Sequence, residues 1–127
     1  MAATAHNEGF LRIVASAKSR VKETDVAGAD IKMKANLSAI LVDVREDDEF
    51  RTEHVKGATH IGKGVIERDI EKLVPDRDTE LLLYCGGGFR SALAADALQQ
   101  MGYTNVWSID GGFRAYNEAG KEMESGS

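Results

Sequence analysis

Three short apolar runs, each leading into a helical pattern, constrain the fold of this chain more than any other feature. Ile40, Leu41, Val42 and Val44 form the first, Leu81 to Tyr84 the second, and Val106, Trp107 and Ile109 mark the third. Near-continuous apolar runs of four or five residues suit strands covered on both faces, as in a parallel sheet. A helical pattern succeeds each run. Acidic Glu46, Asp47 and Asp48 suit the N-terminus of a short helix through Phe50. Leu93, Ala94, Ala97, Leu98 and Met101 share one face of a longer helix, with Gly102 placed to cap it. A last helix holds Phe113 and Tyr116 after the Gly111-Gly112 turn. Strands alternating with helices predict an α/β domain whose mostly parallel sheet is covered on both faces.

The rest of the chain fits around that core. Asn7 can cap a first helix whose apolar face would be Phe10, Ile13, Val14, Ala17 and Val21. A short strand at 21–23 and a helix capped by Thr24 or Asp25, with Val26, Ala29, Met33 and Leu37 on one face, come next. A turn at Lys56-Gly57 leads to a brief strand at 59–61, and a helix from Val65 to Val74 stops at Pro75. The expected organisation is a helical extension at 1–20, a domain at 21–120, and a mobile tail at 121–127. At 127 residues with 43% hydrophobic content, the chain has enough apolar side chains for one core and not for two. The net charge of −5 gives no basic footprint, which argues against a nucleic-acid partner. No apolar run reaches membrane-spanning length, and the N-terminal residues match neither a secretory signal nor a transit peptide, so a cytoplasmic protein is expected. One cysteine permits no internal disulfide and no Cys-x-x-Cys chemistry. With no paired His-x₃-His, a metal site is not expected, and His54 and His60 are read as structural hydrogen-bonding groups.

In open α/β sheets, sites gather beyond the carboxyl ends of the strands. Two candidates fall there: Asp43-Val44-Arg45, and the loop from Cys85 to Ser91. A lone cysteine is commonly an inert small hydrophobe. Cys85, however, stands at the end of a strand, and residues 86–91 must curl from it into the helix beginning near Leu93. Gly86, Gly87 and Gly88 allow successive N–H groups to turn inward, and the helix N-terminus adds its partial positive charge. Arg90 adds a full charge, and the Ser91 hydroxyl can cap the helix or bond the sulfur. Each feature favours the thiolate, the form that attacks. The chain contains its own control, because Gly-Gly-Phe-Arg recurs at 111–114 without a cysteine. There it reads as a strand-to-helix turn with a packing aromatic.

Cys85-Gly86-Gly87-Gly88-Phe89-Arg90-Ser91 resembles the active-site loop of rhodanese-type sulfurtransferases, with four residues between cysteine and arginine. LVDVREDDEF (41–50), EHVKGATHI (53–61) and MGYTNVWSIDGGFRAY (101–116) resemble further signatures of that family, in the expected order. The likeness covers residues 21 to 118. Lys56 stands where the family usually has proline, and Phe113 and Tyr116 where it often has tryptophan. The resemblance implies a rhodanese-like fold, with a central, mostly parallel five-stranded sheet flanked by helices on both faces. It also implies sulfur transfer without a cofactor or metal. Cys85 would take a sulfane sulfur from thiosulfate or a persulfide as a Cys85 persulfide, then pass it to cyanide or a thiol. The N–H groups of 86–90 would cradle the anion and Arg90 would hold the donor. Asp43 and Arg45 would organise the loop from behind, and Lys63 would face the site. The implied partners are a small sulfur-containing anion and a thiol or cyanide acceptor, with a protein persulfide as a further candidate. Two rivals stay open: a phosphatase or arsenate reductase, whose loops on related folds hold five residues between cysteine and arginine, and a sulfur-carrier or regulatory binding module.

Overall fold

The computed structural model describes residues 6–126. Residues 1–5 of the expected extension and Ser127 of the expected mobile tail lie outside the described residues. In chain order the elements are α1 (Glu8–Lys18), β1 (Lys22–Thr24), α2 (Val26–Ala35), β2 (Ile40–Asp43), α3 (Asp47–Thr52), β3 (His54–Val55), β4 (Thr59–His60), α4 (Ile66–Leu73), β5 (Leu81–Tyr84), α5 (Phe89–Gln100), β6 (Val106–Ile109), α6 (Gly112–Glu118) and β7 (Met123–Glu124). The main sheet runs β1-β6-β5-β2-β4 with every pairing parallel. It has the expected five strands and is flanked by helices on both faces. The three apolar runs are β2, β5 and β6, side by side at its centre.

Period-two alternation along β5 divides the core. Leu81, Leu83 and Cys85 face the cluster built with Ile66 and Ile70 of α4 and with Ala94, Ala95 and Leu98 of α5. Leu82 and Tyr84 face the opposite cluster with Val26 and Ala29 of α2 and Tyr116 of α6. All four β5 side chains are fully buried, which is why the run shows no polar position. Cys85 therefore belongs to the face covered by α5, the helix it precedes.

Several local expectations are corrected. Leu37 does not extend the α2 stripe: the helix ends at Ala35, Asn36 is extended, and Leu37 is 92% exposed. Ile13 is also exposed, and Val14 and Ala17 carry the buried contact of α1. Asn7 occupies the N-cap position without a side-chain cap bond, whereas the Asp25 carboxylate accepts from Gly28 N–H at 2.8 Å. In the tail, Met123–Glu124 pairs antiparallel with His54–Val55. Nothing in the polar tail composition signals that strand, because its partner β3 is only two residues long.

Candidate active site

Cys85 lies just beyond the carboxyl end of β5, the strand between β2 and β6. The loop is shorter than expected. Gly88 is already the N-cap of α5, at φ +107, so only 86–88 bridge strand and helix, and Phe89, Arg90 and Ser91 form the first helical turn. The left-handed turn at Gly88 aims its N–H back at Cys85 Sγ, 3.1 Å away. Ser91 Oγ is 3.6 Å from the same sulfur and 2.8 Å from Ser108 Oγ of β6. Ser91 thus faces the sulfur and does not cap the helix. Cys85 itself is 1% exposed, with Gly87 the exposed member of the loop.

The second Gly-Gly-Phe-Arg string, read from sequence as an independent turn, builds the back of this cup. Phe113 N–H donates to Cys85 O at 2.7 Å, and Arg114 N–H donates to Gly86 O at 3.2 Å. A Cβ on Gly112 would lie 2.4 Å from Cys85 O, so only glycine lets the two turns approach. Gly88 in turn packs on Asp110 and Gly111. The repeat is a docking pair.

Arg90 is not a free cation. Its guanidinium makes two bonds to the Glu49 carboxylate of α3, at 2.8 and 3.2 Å, and lies across Gly86. Arg90 holds the Glu49 carboxyl below its usual range, and Glu49 raises Arg90 in return. Glu49 is hidden in the sequence by a second job. It also forms the capping box with Glu46, whose N–H it accepts at 2.9 Å.

Asp43 and Arg45 are both buried, and they bond each other rather than the loop. Arg45 donates to both Asp43 oxygens at 2.8 to 3.2 Å and to Glu53 O at 2.7 Å. Its guanidinium carbon sits 4.2 Å from the Phe113 ring centroid and 5.7 Å from that of Tyr84, so the pair supports the cup through the rings beside it. Burial, then the neighbouring Asp43, keep the Tyr84 phenol well above its ordinary value, and its oxygen accepts Val55 N–H at 3.0 Å. Lys63 is half-buried and tied to Val44 O by its backbone N–H at 2.9 Å. His54 bonds Phe50 O and His60 bonds Arg45 O, both at 2.8 Å, and both rings stack on Phe50. A cavity of about 320 Å³ lies beside the cup, lined by Arg45, Asp48, Glu49, Thr52, Glu53 and Phe113.

The first helix also reaches the loop. Phe10 and His6 pack on the Phe89 ring, with centroids 6.1 and 4.9 Å away, and Lys18 Nζ lies 5.3 Å from the same centroid. Arg20, just after α1, clamps Asp96 of α5 with bonds of 2.7 and 3.0 Å. No sequence signal joins this helix to residue 89, because the contact is made by tertiary packing across α5.

The profile of the rhodanese-like domain matches residues 28–119. Thiosulfate sulfurtransferase GlpE of Shewanella oneidensis is 33% identical over 89 residues, 70% of this chain and 86% of that protein. A protein of unknown function from Rhodopseudomonas palustris CGA009, described as a possible tyrosine phosphatase, superposes with a TM-score of 0.82 at 30% identity, over 95% of this chain and 98% of that one. The polysulfide-sulfur transferase homodimer of Wolinella succinogenes superposes with a TM-score of 0.77 at 25% identity, over 94% and 89%. Residues 6–18 with α1 precede the matched family segment.

Proposed function

The chain belongs to the rhodanese-like domain family, and from that premise we propose that it is a sulfurtransferase working through a persulfide on Cys85. The observation that carries this reading is the sulfur itself, at the bottom of a backbone cup, with Gly88 N–H aimed at it from 3.1 Å. A bond to sulfur is stronger when sulfur is charged, so the cup suits both the attacking thiolate and the persulfide anion it would become. The names of the sulfurtransferase relatives support the same class of reaction.

In the first half-reaction the Cys85 thiolate attacks the outer sulfur of thiosulfate. The S–S bond breaks, sulfite leaves with its electron pair, and a Cys85 persulfide forms. In the second, an acceptor thiolate or cyanide attacks the outer sulfur, and the Cys85 thiolate leaves with the electrons of the broken bond. Splitting transfer this way gives ping-pong kinetics. Each half-reaction moves one sulfur atom, which a cup of four residues between Cys85 and Arg90 can enclose. Because Glu49 already occupies Arg90, the arginine acts first as a brace of the cup and only secondarily as an anion receptor.

The test is intact mass. Thiosulfate should add one sulfur atom, about 32 Da, cyanide should remove it, and Cys85→Ser should abolish it. The Rhodopseudomonas palustris relative motivates the comparison arm, in which turnover of an aryl phosphate without any mass gain would refute sulfur transfer. Neither signal would leave a binding module.

A further inference from the structure

Beside Cys85, toward β6, two hydroxyls stand in line. Ser91 Oγ is 3.6 Å from Cys85 Sγ and 2.8 Å from Ser108 Oγ, and both serines are fully buried. Ser108 Oγ has one hydrogen-bond partner among the described residues, and that partner is Ser91. A hydroxyl carries one proton to donate and two lone pairs. If Ser91 gives its proton to Ser108, it can only accept near the sulfur. If Ser108 donates to Ser91, the Ser91 proton is released toward the sulfur. The second orientation is the one a charged sulfur selects.

We propose that Ser108 is a positioning residue for the nucleophile: by donating to Ser91 Oγ it turns the Ser91 proton onto Cys85 Sγ. The inference deepens the sulfur-transfer reading and rests on it for its purpose, though not for its test. Once the sulfur is charged and can only accept, two donors converge on it: Gly88 N–H from the loop at 3.1 Å, and Ser91 O–H from the helix across the 3.6 Å contact that a neutral thiol would span by donating to Ser91 Oγ. Ser108 reaches this place because parallel pairing sets it opposite Leu83 in β5, two residues before Cys85, while Ile109 turns to the other face. The charged groups facing the cup stay as they are when Ser108 changes: Arg90 of α5 with Glu49 of α3, Asp110 with Lys18 of α1 at 4.0 Å, and Asp43 with Arg45 beyond β2. A Ser108 effect on the sulfur is therefore an effect of the hydroxyl chain.

The experiment follows alkylation of Cys85 by iodoacetamide from about pH 5 to about pH 10 in the native protein, Ser108→Ala, Ser91→Ala, the double variant and Ser108→Thr. Ser108→Ala should move the half-maximal pH upward by about half a unit and slow alkylation at neutral pH roughly two- to threefold. Ser91→Ala should move it at least as far. In the Ser91→Ala background, Ser108→Ala should add nothing, because its route is gone. Ser108→Thr keeps the hydroxyl and should hold the native profile. An unshifted Ser108→Ala profile overturns the proposal, and so does a Ser108 effect that persists without Ser91. Alkylation needs no sulfur donor. A failure here is thus separate from a failure to form the persulfide.

Discussion

Substituting Gly112 by alanine tests the docking of the two glycine turns, and Gly87→Ala supplies its control. Gly112 sits at φ +50, where a side chain costs about 1–2 kcal/mol. Its new Cβ would meet Cys85 O at 2.4 Å and Cys85 C at 3.0 Å, both backbone atoms that cannot swing aside. The turns must separate, which stretches Phe113 N–H to Cys85 O and Arg114 N–H to Gly86 O, now 2.7 and 3.2 Å. Each bond is worth about 1 kcal/mol net, and a buried orphaned carbonyl costs somewhat more. Together these give a loss of about 3–5 kcal/mol, or a drop of roughly 10–20 °C in thermal midpoint for a chain of this size. At Gly87 a Cβ meets nothing within 4 Å and φ is not positive, so Gly87→Ala should stay within about 1 kcal/mol of native. Thermal unfolding monitored by circular dichroism reads both, and thiosulfate loading by intact mass reports whether the Gly112→Ala cup still takes sulfur. A Gly112→Ala protein melting within a few degrees of native would refute the docking argument, as would a Gly87→Ala protein equally damaged.

Glu49→Gln should free Arg90 for the donor and lower KM for thiosulfate more than for an uncharged persulfide donor; equal changes would show that Arg90 does not meet the anion. The same variant has an acid signature. Arg90 holds the folded Glu49 carboxyl below its ordinary value, so the Glu49 contribution to stability is present above that ordinary value and is lost as pH falls through the folded one. The stability gap between native and Glu49→Gln should therefore close on acidification, and urea titrations at about pH 7 and about pH 3 would read it. Asp43→Ala strands the buried Arg45 guanidinium and should cost about 3–5 kcal/mol in urea unfolding, while Arg45→Lys, lacking the fork that spans Asp43 and Glu53 O, should recover little of the native pairing. Phe10→Ala should raise amide hydrogen exchange at Phe89 and Arg90 over that at Leu98, since the α1 ring contact is with the cup end of α5. Uniform change along the helix would deny α1 a hold on the loop.

The legible parts of this molecule are those in which neighbours in sequence settle the outcome. Leu81 to Tyr84 read as a strand buried on both faces because each side chain had to be apolar, and the parallel sheet came from the alternation with helices. Cys85 with its glycines read as a cup because strand, turn and helix N-terminus are consecutive. Leu37 keeps the helical spacing past the point where Asn36 leaves the helix, and spacing carries no record of a backbone break. Glu49 follows three other acids at the start of a short helix, and nothing in its spacing points to Arg90, 41 residues away. The repeated Gly-Gly-Phe-Arg misleads most. Its second copy serves as a control for the first only if the two are independent, and a parallel sheet denies that. Strands β5 and β6 are neighbours, so their carboxyl ends, and the turns that leave them, must meet. Two glycine turns on adjacent parallel strands are therefore better read as candidates for mutual docking. That inference needs the strand order, which periodicity along the chain does not contain.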